Sequence, residues 1–447
     1  MLQLIAIINL IRLTCLLLIA VVLYPVINRK SYYLFLYLAG PSFIKLGQTL
    51  ATRPDLIGEK NALLLSKFQD KIPPFNQRTL KKILKKHFNQ GLFTVFSSFD
   101  FKAVASASIA QVHYATLKSG EKVAVKILRP NIENIIRRDL ITIEIIAKIL
   151  VIFNKFTAKI FKDIAKLLEN TSNHEIHLLN EAANASKLKE DLAMVEGFYV
   201  PKIYWQFSGD NVLVLEWISG IPLTNINKIR AGKYNLKKVA ENLVISYFNQ
   251  VYLNGFFHAD MHPGNLFLMT DGRLAVVDFG IMGIIDQKTR LAITQILLAF
   301  VNRNYYQVAD LHIKNGLVPA TINIDALALS CRKIGETIVD AAVKEVEISK
   351  LITGLIAITK EHQLATRPEL LLLQKTLILV EGVGVSLDPE LNIWEFARPW
   401  VKEWARTHLG FDAKICNLIR NALDLAKDFA KSLETNYQAK AQKDNHN

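Results

Sequence analysis

His258-Ala259-Asp260-Met261-His262-Pro263-Gly264-Asn265, followed beyond a turn at Thr270-Asp271-Gly272 by Val276-Val277-Asp278-Phe279-Gly280, is the stretch on which the reading of this chain turns. An aspartate, an asparagine five residues later and a second aspartate after a hairpin are the groups that nucleotide phosphoryl transfer requires. One carboxylate orients the acceptor or a water; an amide and a second carboxylate hold Mg2+ against the phosphates. Oxygen ligands drawn from one loop and hairpin suit a hard cation. Asp and Asn often serve only as turn caps, but Asp278-Phe279-Gly280 at a matching distance asks for more than capping. A zinc-protease reading of His258 and His262 fails, because that spacing works on a helix, Pro263-Gly264 break the chain and no glutamate follows His258.

Working outward, such a loop needs a lysine on an upstream strand, and Val123-Ala124-Val125-Lys126 fits the Val-Ala-Ile-Lys pattern of an ATP lysine. That lysine needs a helical acidic partner. Glu175 and Glu181 are the candidates, with Glu181 favoured. The phosphate-covering segment before the strand departs from Gly-x-Gly-x-x-Gly: it reads Val104-Ala105-Ser106-Ala107-Ser108-Ile109-Ala110-Gln111-Val112. Glycine lets backbone N–H groups close on phosphates at positive φ, which alanine restricts. The nucleotide is therefore expected to be held differently, with the Ser106 and Ser108 hydroxyls as extra ligands. After Gly280 only Ile281–Asp286 precede the next helix, so the long segment that docks a protein substrate is missing.

Short alternating runs at Phe93–Phe96, Ile109–Leu117, Val123–Leu128, Tyr199–Phe207 and Val212–Trp217, with turns at Ser119-Gly120 and Ser208–Asn211, predict a small, mostly antiparallel sheet interrupted by helix over about 131–190. Beyond Gly220-Ile221-Pro222 the pattern is helical except for the hairpin Asn265–Met269 and Arg273–Val277. The expected class is α+β: a bilobal protein-kinase-like fold with a small sheet-containing N-lobe, a mostly helical C-lobe and an N-terminal helical extension. The expected divisions are an apolar membrane-associating segment at 1–30, a helical extension at 31–92, the N-lobe with its helical insertion at 93–219, the C-lobe at 220–433 and a polar tail at 434–447.

The 447 residues carry 54 Lys+Arg against 40 Asp+Glu, a net charge of +14, and are 51% hydrophobic. That excludes a disordered chain and leaves a soluble enzyme, a membrane-associated enzyme or a nucleic-acid binder. The basic residues are spread out, and the densest group, Lys81-Lys82-Ile83-Leu84-Lys85-Lys86, has the spacing of a solvated helix face, so nucleic acid is not the expected partner. Cys15, Cys331 and Cys416 are isolated, which argues for a reducing compartment and against structural zinc. Leu2 to Ile27 is apolar apart from Gln3, Asn9, Arg12 and Thr14. Three readings stay open: a transmembrane anchor, an apolar helix lying on the membrane or packed on protein, and, weakest, a cleaved signal peptide. Arg29-Lys30 would keep the downstream chain cytoplasmic. Leu370–Leu387, interrupted by Gln374, Lys375 and Glu381, reads as a buried helix.

At these residues the chain resembles the UbiB family of atypical, protein-kinase-like proteins. The likeness rests on Lys45-Leu46-Gly47-Gln48, the Ala-rich loop running into Gln111-Val112-His113, Val123–Lys126, Glu175 and Glu181, His258–Asn265, Asp278-Phe279-Gly280, and Leu373-Gln374-Lys375 through Glu381–Gly384. The resemblance implies ATP and Mg2+ as cofactors and support of ubiquinone biosynthesis at the bacterial cytoplasmic (inner) membrane, with the catalytic body on the cytoplasmic side. Its implied partners are a prenylated quinone precursor or other membrane lipid and ubiquinone-biosynthesis proteins. By the same resemblance Asp260 would accept the proton, Asn265 and Asp278 would ligate Mg2+, and Lys126 would hold ATP. Lys45 and Gln48 would fold over the nucleotide, with Glu175 as charge partner of Lys45. The chain departs from the family where a Glu-x-Asp segment reads Glu175-Ile176-His177, and in ending on a polar tail in place of two hydrophobic helices. The competing readings are a small-molecule kinase of the aminoglycoside or choline type, which the short segment after Gly280 also suits, and a non-enzymatic nucleotide-gated lipid-binding scaffold.

Overall fold

The structure, a computed structural model, describes residues 2–27, 35, 38–51, 73–153, 159, 162–163, 165–166, 168–169, 176–319, 321–339 and 368–409. The described residues form two compact units. The first takes the described residues up to 250 with 256–284 and 368–387, and the second takes 251–255, the described residues from 285 to 339 and 388–409.

The first unit is built around an antiparallel sheet in the order β1 (Phe96–Phe99), β3 (Ala110–Leu117), β4 (Lys122–Leu128), β6 (Val212–Glu216), with β2 (Ala105–Ser106) added to β3. Strand period decides its faces: Val123, Val125 and Ile127 are fully buried, and Lys126 between them turns to the opposite side. A slip of one residue in the β3–β4 register, which pairs Lys126 with Val112, would put the lysine in the core. Helix α3 (Gln77–His87) closes that core with Leu80 and Leu84 packed beside Phe88, Phe96 and Phe99. Asn76 caps α3 by accepting from Thr79 N at 2.8 Å, and Lys81, Lys82, Lys85 and Lys86 are exposed, as their spacing predicts.

Helices α1 (Leu2–Ile27), α2 (Pro41–Ala51) and α4 (Ile132–Phe153) share a second core through Leu13, Phe43, Leu46 and Ile143. The apolar α1 is fastened by its polar residues. Asn9 Nδ2 donates to Asp139 Oδ1 and to Thr142 Oγ1, each at 3.0 Å, and Arg12 donates to the Ala39 carbonyl at 2.7 Å.

Helix α5 (Leu178–Asp191) precedes β5 (Phe198–Tyr199). A second sheet has the order β5–β10 (Leu274–Val276)–β9 (Leu266–Met269)–β7 (Gly220–Pro222), and β8 (Phe256–His258) pairs with β11 (Met282–Ile284). Gly283 makes that last pairing fit: a Cβ there would come within 2.1 Å of the fully buried Phe257 ring. α6 (Leu236–Phe248) buries Val239, Leu243, Val244 and Tyr247. It packs against a later helix at Pro368–Leu387, whose buried stripe Leu373, Leu377, Val380, Val383 recurs at helical spacing.

The second unit is helical: α7 (Gln287–Val301), α8 (Tyr305–Lys314), α9 (Ile324–Val339) and, after α10 (Pro368–Leu387) of the first unit, α11 (Ile393–Leu409). Asp286 caps α7 by accepting from Thr289 N at 2.9 Å. α8 and α9 meet where Gly335 approaches Tyr305.

Two strand expectations differ from what forms. Leu92–Val95 winds one helical turn after Gly91, at φ +103°, before the strand begins at Phe96. Of the run Tyr199–Phe207 only Tyr199 lies in a strand, and β5 pairs in parallel with the distant β10; Pro201 removes a ladder donor, and Trp205–Phe207 forms a 3-10 turn.

Candidate active site

Three elements of the first unit converge on Lys126. Its ammonium donates to both oxygens of Glu181 on α5 at 2.8 Å and to Asp278 Oδ1 at 3.0 Å. Of the two glutamates proposed as its partner, Glu181 makes the ion pair; Glu175 lies outside the described residues. Glu181 also accepts from Phe279 N at 3.3 Å, and Asn184, one helical turn further on the same face, donates to the Phe279 carbonyl at 2.9 Å. α5 therefore grips both ends of the Phe279 residue, whose ring is fully buried.

Asp278 sits at φ +66°, a left-handed conformation that costs a non-glycine residue of order 1 kcal/mol and persists only when its surroundings over-determine it. Here they do. Its carboxylate is bound by Lys126, and its carbonyl accepts from His258 Nε2 at 2.8 Å. His258 Nδ1 in turn accepts from Asp260 N at 3.2 Å, so the buried imidazole is satisfied on both sides only as the neutral Nε2–H tautomer. Burial, the larger influence, lowers its pKa accordingly.

Asp260 stands at the other end of the loop. Its Oδ1 accepts from Lys375 of α10 at 3.0 Å, its Oδ2 lies 3.6 Å from His262 Nε2, and its backbone carbonyl accepts from Asn265 Nδ2 at 3.1 Å. The last bond turns the Asn265 amide so that its oxygen is the atom left to ligate. With the half-exposed Asp278 carboxylate, 49% accessible, this makes two oxygen donors. That suits Mg2+, which takes one or two protein ligands and completes its shell with phosphates and water. No group of three or more His, Cys, Asp or Glu side chains among the described residues is arranged to hold a metal ion by itself.

The electrostatics separate the carboxylates. Burial works to raise all three. Lys126, aided by Lys45 of α2, overrides it at Asp278 and holds that group well below the usual range. Lys375 and then His262 override it at Asp260, which is also lowered. Glu181, deeper and sharing one ammonium with Asp278, is pushed up to about 7. The two carboxylates keep Lys126 charged against its own burial.

The Ala-rich loop is a tight hairpin. Ala105 and Ser106 pair with Val112 and Gln111, Ala107 N donates to the Ala110 carbonyl at 2.8 Å, and no residue of 104–112 has a positive φ, which is why alanine and serine suffice without glycine. Val104 is exposed; Ser108, Ile109, Ala110 and Gln111 are buried. Arg129 clamps the loop, with Nε on the Ala107 carbonyl at 3.1 Å and Nη2 on Ser106 Oγ at 2.9 Å and on the Pro73 carbonyl at 3.0 Å. Ser106 Oγ thus accepts from Arg129, and Ser108 is buried. Gln48 belongs to α2, but its side chain is outside the described set. His177 caps the start of α5 with its backbone, and its side chain is exposed.

Residues 67–312 match the ABC1 atypical kinase-like domain and residues 331–392 the UbiB helical domain. A curated relative, "Probable protein kinase UbiB" of Azotobacter vinelandii, is 38% identical over 384 residues, which is 85% of this chain and 72% of that protein. The chain belongs to the UbiB family. Membership implies a role in ubiquinone biosynthesis. The fold is likewise shared with a solved structure, Rv3197 in complex with erythromycin from Mycobacterium tuberculosis, at a TM-score of 0.54 and 23% identity, covering 84% of this chain and 96% of that one.

Sequence reasoning finds Lys126, Glu181, Asp260, Asn265 and Asp278, which this UbiB-family structure brings to one place. It misses Arg129, Asn184 and Lys375. Asn184 could have been found as the polar residue three positions beyond Glu181; Lys375 is marked only as the one cation of a helix that also carries Glu369, Gln374 and Glu381, with nothing local to say what it meets. Arg129 carries no local signal.

Proposed function

We propose that this UbiB-family protein binds Mg-ATP and transfers or hydrolyses its γ-phosphoryl group in support of ubiquinone biosynthesis, at the cytoplasmic face of the bacterial inner membrane. The observation that carries the reading is the Lys126–Glu181–Asp278 cluster, with Asp260 and Asn265 on the same loop system. Lys126 binds the phosphates, and Asn265 and Asp278 would hold Mg2+, which supplies charge neutralisation between the phosphates. Asp260 orients the acceptor hydroxyl or water. The acceptor oxygen forms the new bond to the γ-phosphorus as the bond to the β,γ-bridging oxygen breaks. ADP leaves with that electron pair, and the acceptor's proton passes to Asp260.

A small acceptor is favoured. The residues after Gly280 are taken up by the β8–β11 pairing and by the Asp286 cap, which leaves no platform for a protein substrate among them. The membrane side of the reading rests on α1. Asn9 and Arg12 are engaged by protein, while Ile7, Ile8, Ile11, Leu18 and Ile19 are exposed and Ile149 and Ile152 of α4 add to the apolar surface. This supports a helix packed on the body and resting in the lipid interface over one that spans. The one described helix long and apolar enough to cross, Glu369–Leu387, is 44% buried and packs on α6.

Ubiquinone content of a strain lacking the protein, complemented with full-length variants, tests the function. Wild type restores ubiquinone, and Asp260→Asn and Asp278→Asn do not; restoration by both variants would refute phosphoryl transfer.

A further inference from the structure

Asp260 has a partner that the catalytic loop does not itself supply. Residues 258–265 contain no lysine or arginine, and His262 stands 3.6 Å away. The fixed charge comes from Lys375, 115 residues downstream, at 3.0 Å. α10 reads Pro-Glu-Leu-Leu-Leu-Leu-Gln-Lys-Thr-Leu-Ile-Leu-Val-Glu-Gly-Val-Gly-Val-Ser-Leu, with no other cation. A lone ammonium in such a helix is costly to hold unless it is paired.

The helix around it is fixed on both sides of the lysine. Tyr247 of α6 donates to the Leu373 carbonyl at 3.2 Å, and Thr376 Oγ1, whose shorter bond is to the Leu372 carbonyl of its own helix at 2.8 Å, also lies 3.3 Å from the Ala259 carbonyl, next to Asp260 itself. Leu373 and Leu377 are buried on the face that meets α6. α10 is thus held to α6 at 373 and meets the catalytic loop at 376, the two positions that bracket the lysine.

We propose that Lys375 is a positioning residue for phosphoryl transfer: by bonding one oxygen of Asp260 it fixes the carboxylate so that the other meets the acceptor, and it makes turnover depend on the helical domain that carries it. A carboxylate torsion is broad and roughly two-fold when unrestrained, so one anchored oxygen removes most of that freedom. Nucleotide binding, built on Lys126, Glu181 and Asp278, does not involve it. The kinase-like segment would bind Mg-ATP by its own residues and borrow from α10 what it needs to turn it over.

The inference rests on the phosphoryl-transfer reading, and the experiment separates the two. With full-length protein, Mg-ATP affinity by calorimetry, turnover by released ADP and thermal unfolding are measured for wild type, Lys375→Met, Lys375→Arg, Asp260→Asn and the Lys375→Met/Asp260→Asn double variant. Methionine suits the apolar helix, and thermal unfolding checks the fold. The expected result for Lys375→Met is an affinity within about 3-fold of wild type and a kcat lower by about 10²-fold, the cost of removing one preorganised donor. Lys375→Arg regains most of the loss. In the Asp260→Asn background the same substitution costs less than about 3-fold, because residues that act as a unit are not additive. Wild-type or faster turnover by Lys375→Met, or an undiminished loss in the double variant, would overturn the inference and leave the ATP site standing. A wild type that binds no Mg-ATP would overturn both.

Discussion

Lys126 reaches Asp278 from a strand whose neighbours on both sides are fixed by sheet register, whereas Lys375 reaches Asp260 from a helix 115 residues along the chain. Both pairs close at 3.0 Å. Lys126 has a second carboxylate in Glu181 and is 13% accessible; the Lys375–Asp260 pair stands 26% and 27% open. The first pair is anchored by the buried Glu181, 5% accessible, and runs out to the half-exposed Asp278 carboxylate, 49% accessible. In the second both members are part open and no buried carboxylate backs the lysine. The difference suits two jobs: a rigid grip on phosphates and metal, and an adjustable grip on an acceptor.

If the jobs divide in this way, the two pairs should fail differently. Asp260→Asn should lower turnover by about 10³-fold, within the range for loss of a positioned acid or base, with Mg-ATP affinity retained; loss of affinity instead would erase the distinction. Lys126→Met should act on binding, raising the dissociation constant by about 10- to 100-fold as one charge-assisted hydrogen bond is lost. Equal affinity with slowed turnover would place Lys126 on the acceptor side. Asn184→Ala, which frees only the Phe279 carbonyl, should cost about 5-fold in affinity, the worth of one neutral hydrogen bond. Calorimetry that finds no change would mean Glu181 alone fixes that segment.

The smallest effect leaves both pairs intact and concerns stability. Burial lowers the pKa of His113 and His312, so each takes up a proton less readily folded than unfolded. Below about pH 6.5 an unfolded histidine takes up a proton that the folded one takes up only at lower pH. Each histidine should therefore lower the unfolding free energy as the pH falls below about 6.5, by at most about 1.4 kcal/mol per unit, against the opposite contribution of Glu181, which takes up a proton in the folded state over the same range. Urea midpoints at pH 7.5 and 5.5 measure the slope. His312→Phe should flatten it, and an unchanged slope would discharge His312 from the effect.

The same contrast explains what could be read from the chain alone. The nucleotide side is legible because its residues lie in short motifs that follow one another along the chain: a lysine on an alternating strand, a glutamate on a later helix, an aspartate after a hairpin. β3, β4, β6 and the β9–β10 hairpin are legible for the same reason, since period-two burial and glycine turns are local signals. Lys375 and Arg129 are not, because each matters only through a contact made after folding. The parallel pairing of β5 with β10 has the same character, joining Phe198 to Leu274. In the Ala-rich loop the departure from glycine was visible, but its consequence was not. The hydroxyl of Ser106 is committed to Arg129, a residue on the far side of β4 in the sequence.

The central claim is that Asp278 and Lys126 form a Mg-dependent ATP site. Calorimetric titration of the full-length protein with ATP, with Mg2+ and with EDTA, on wild type and on Asp278→Asn, tests it most directly. Wild type should bind saturably and at least about tenfold more weakly without Mg2+, and Asp278→Asn should no longer respond to the metal, having lost a carboxylate ligand. Binding that is equal in all four conditions, or absent from wild type, would contradict it.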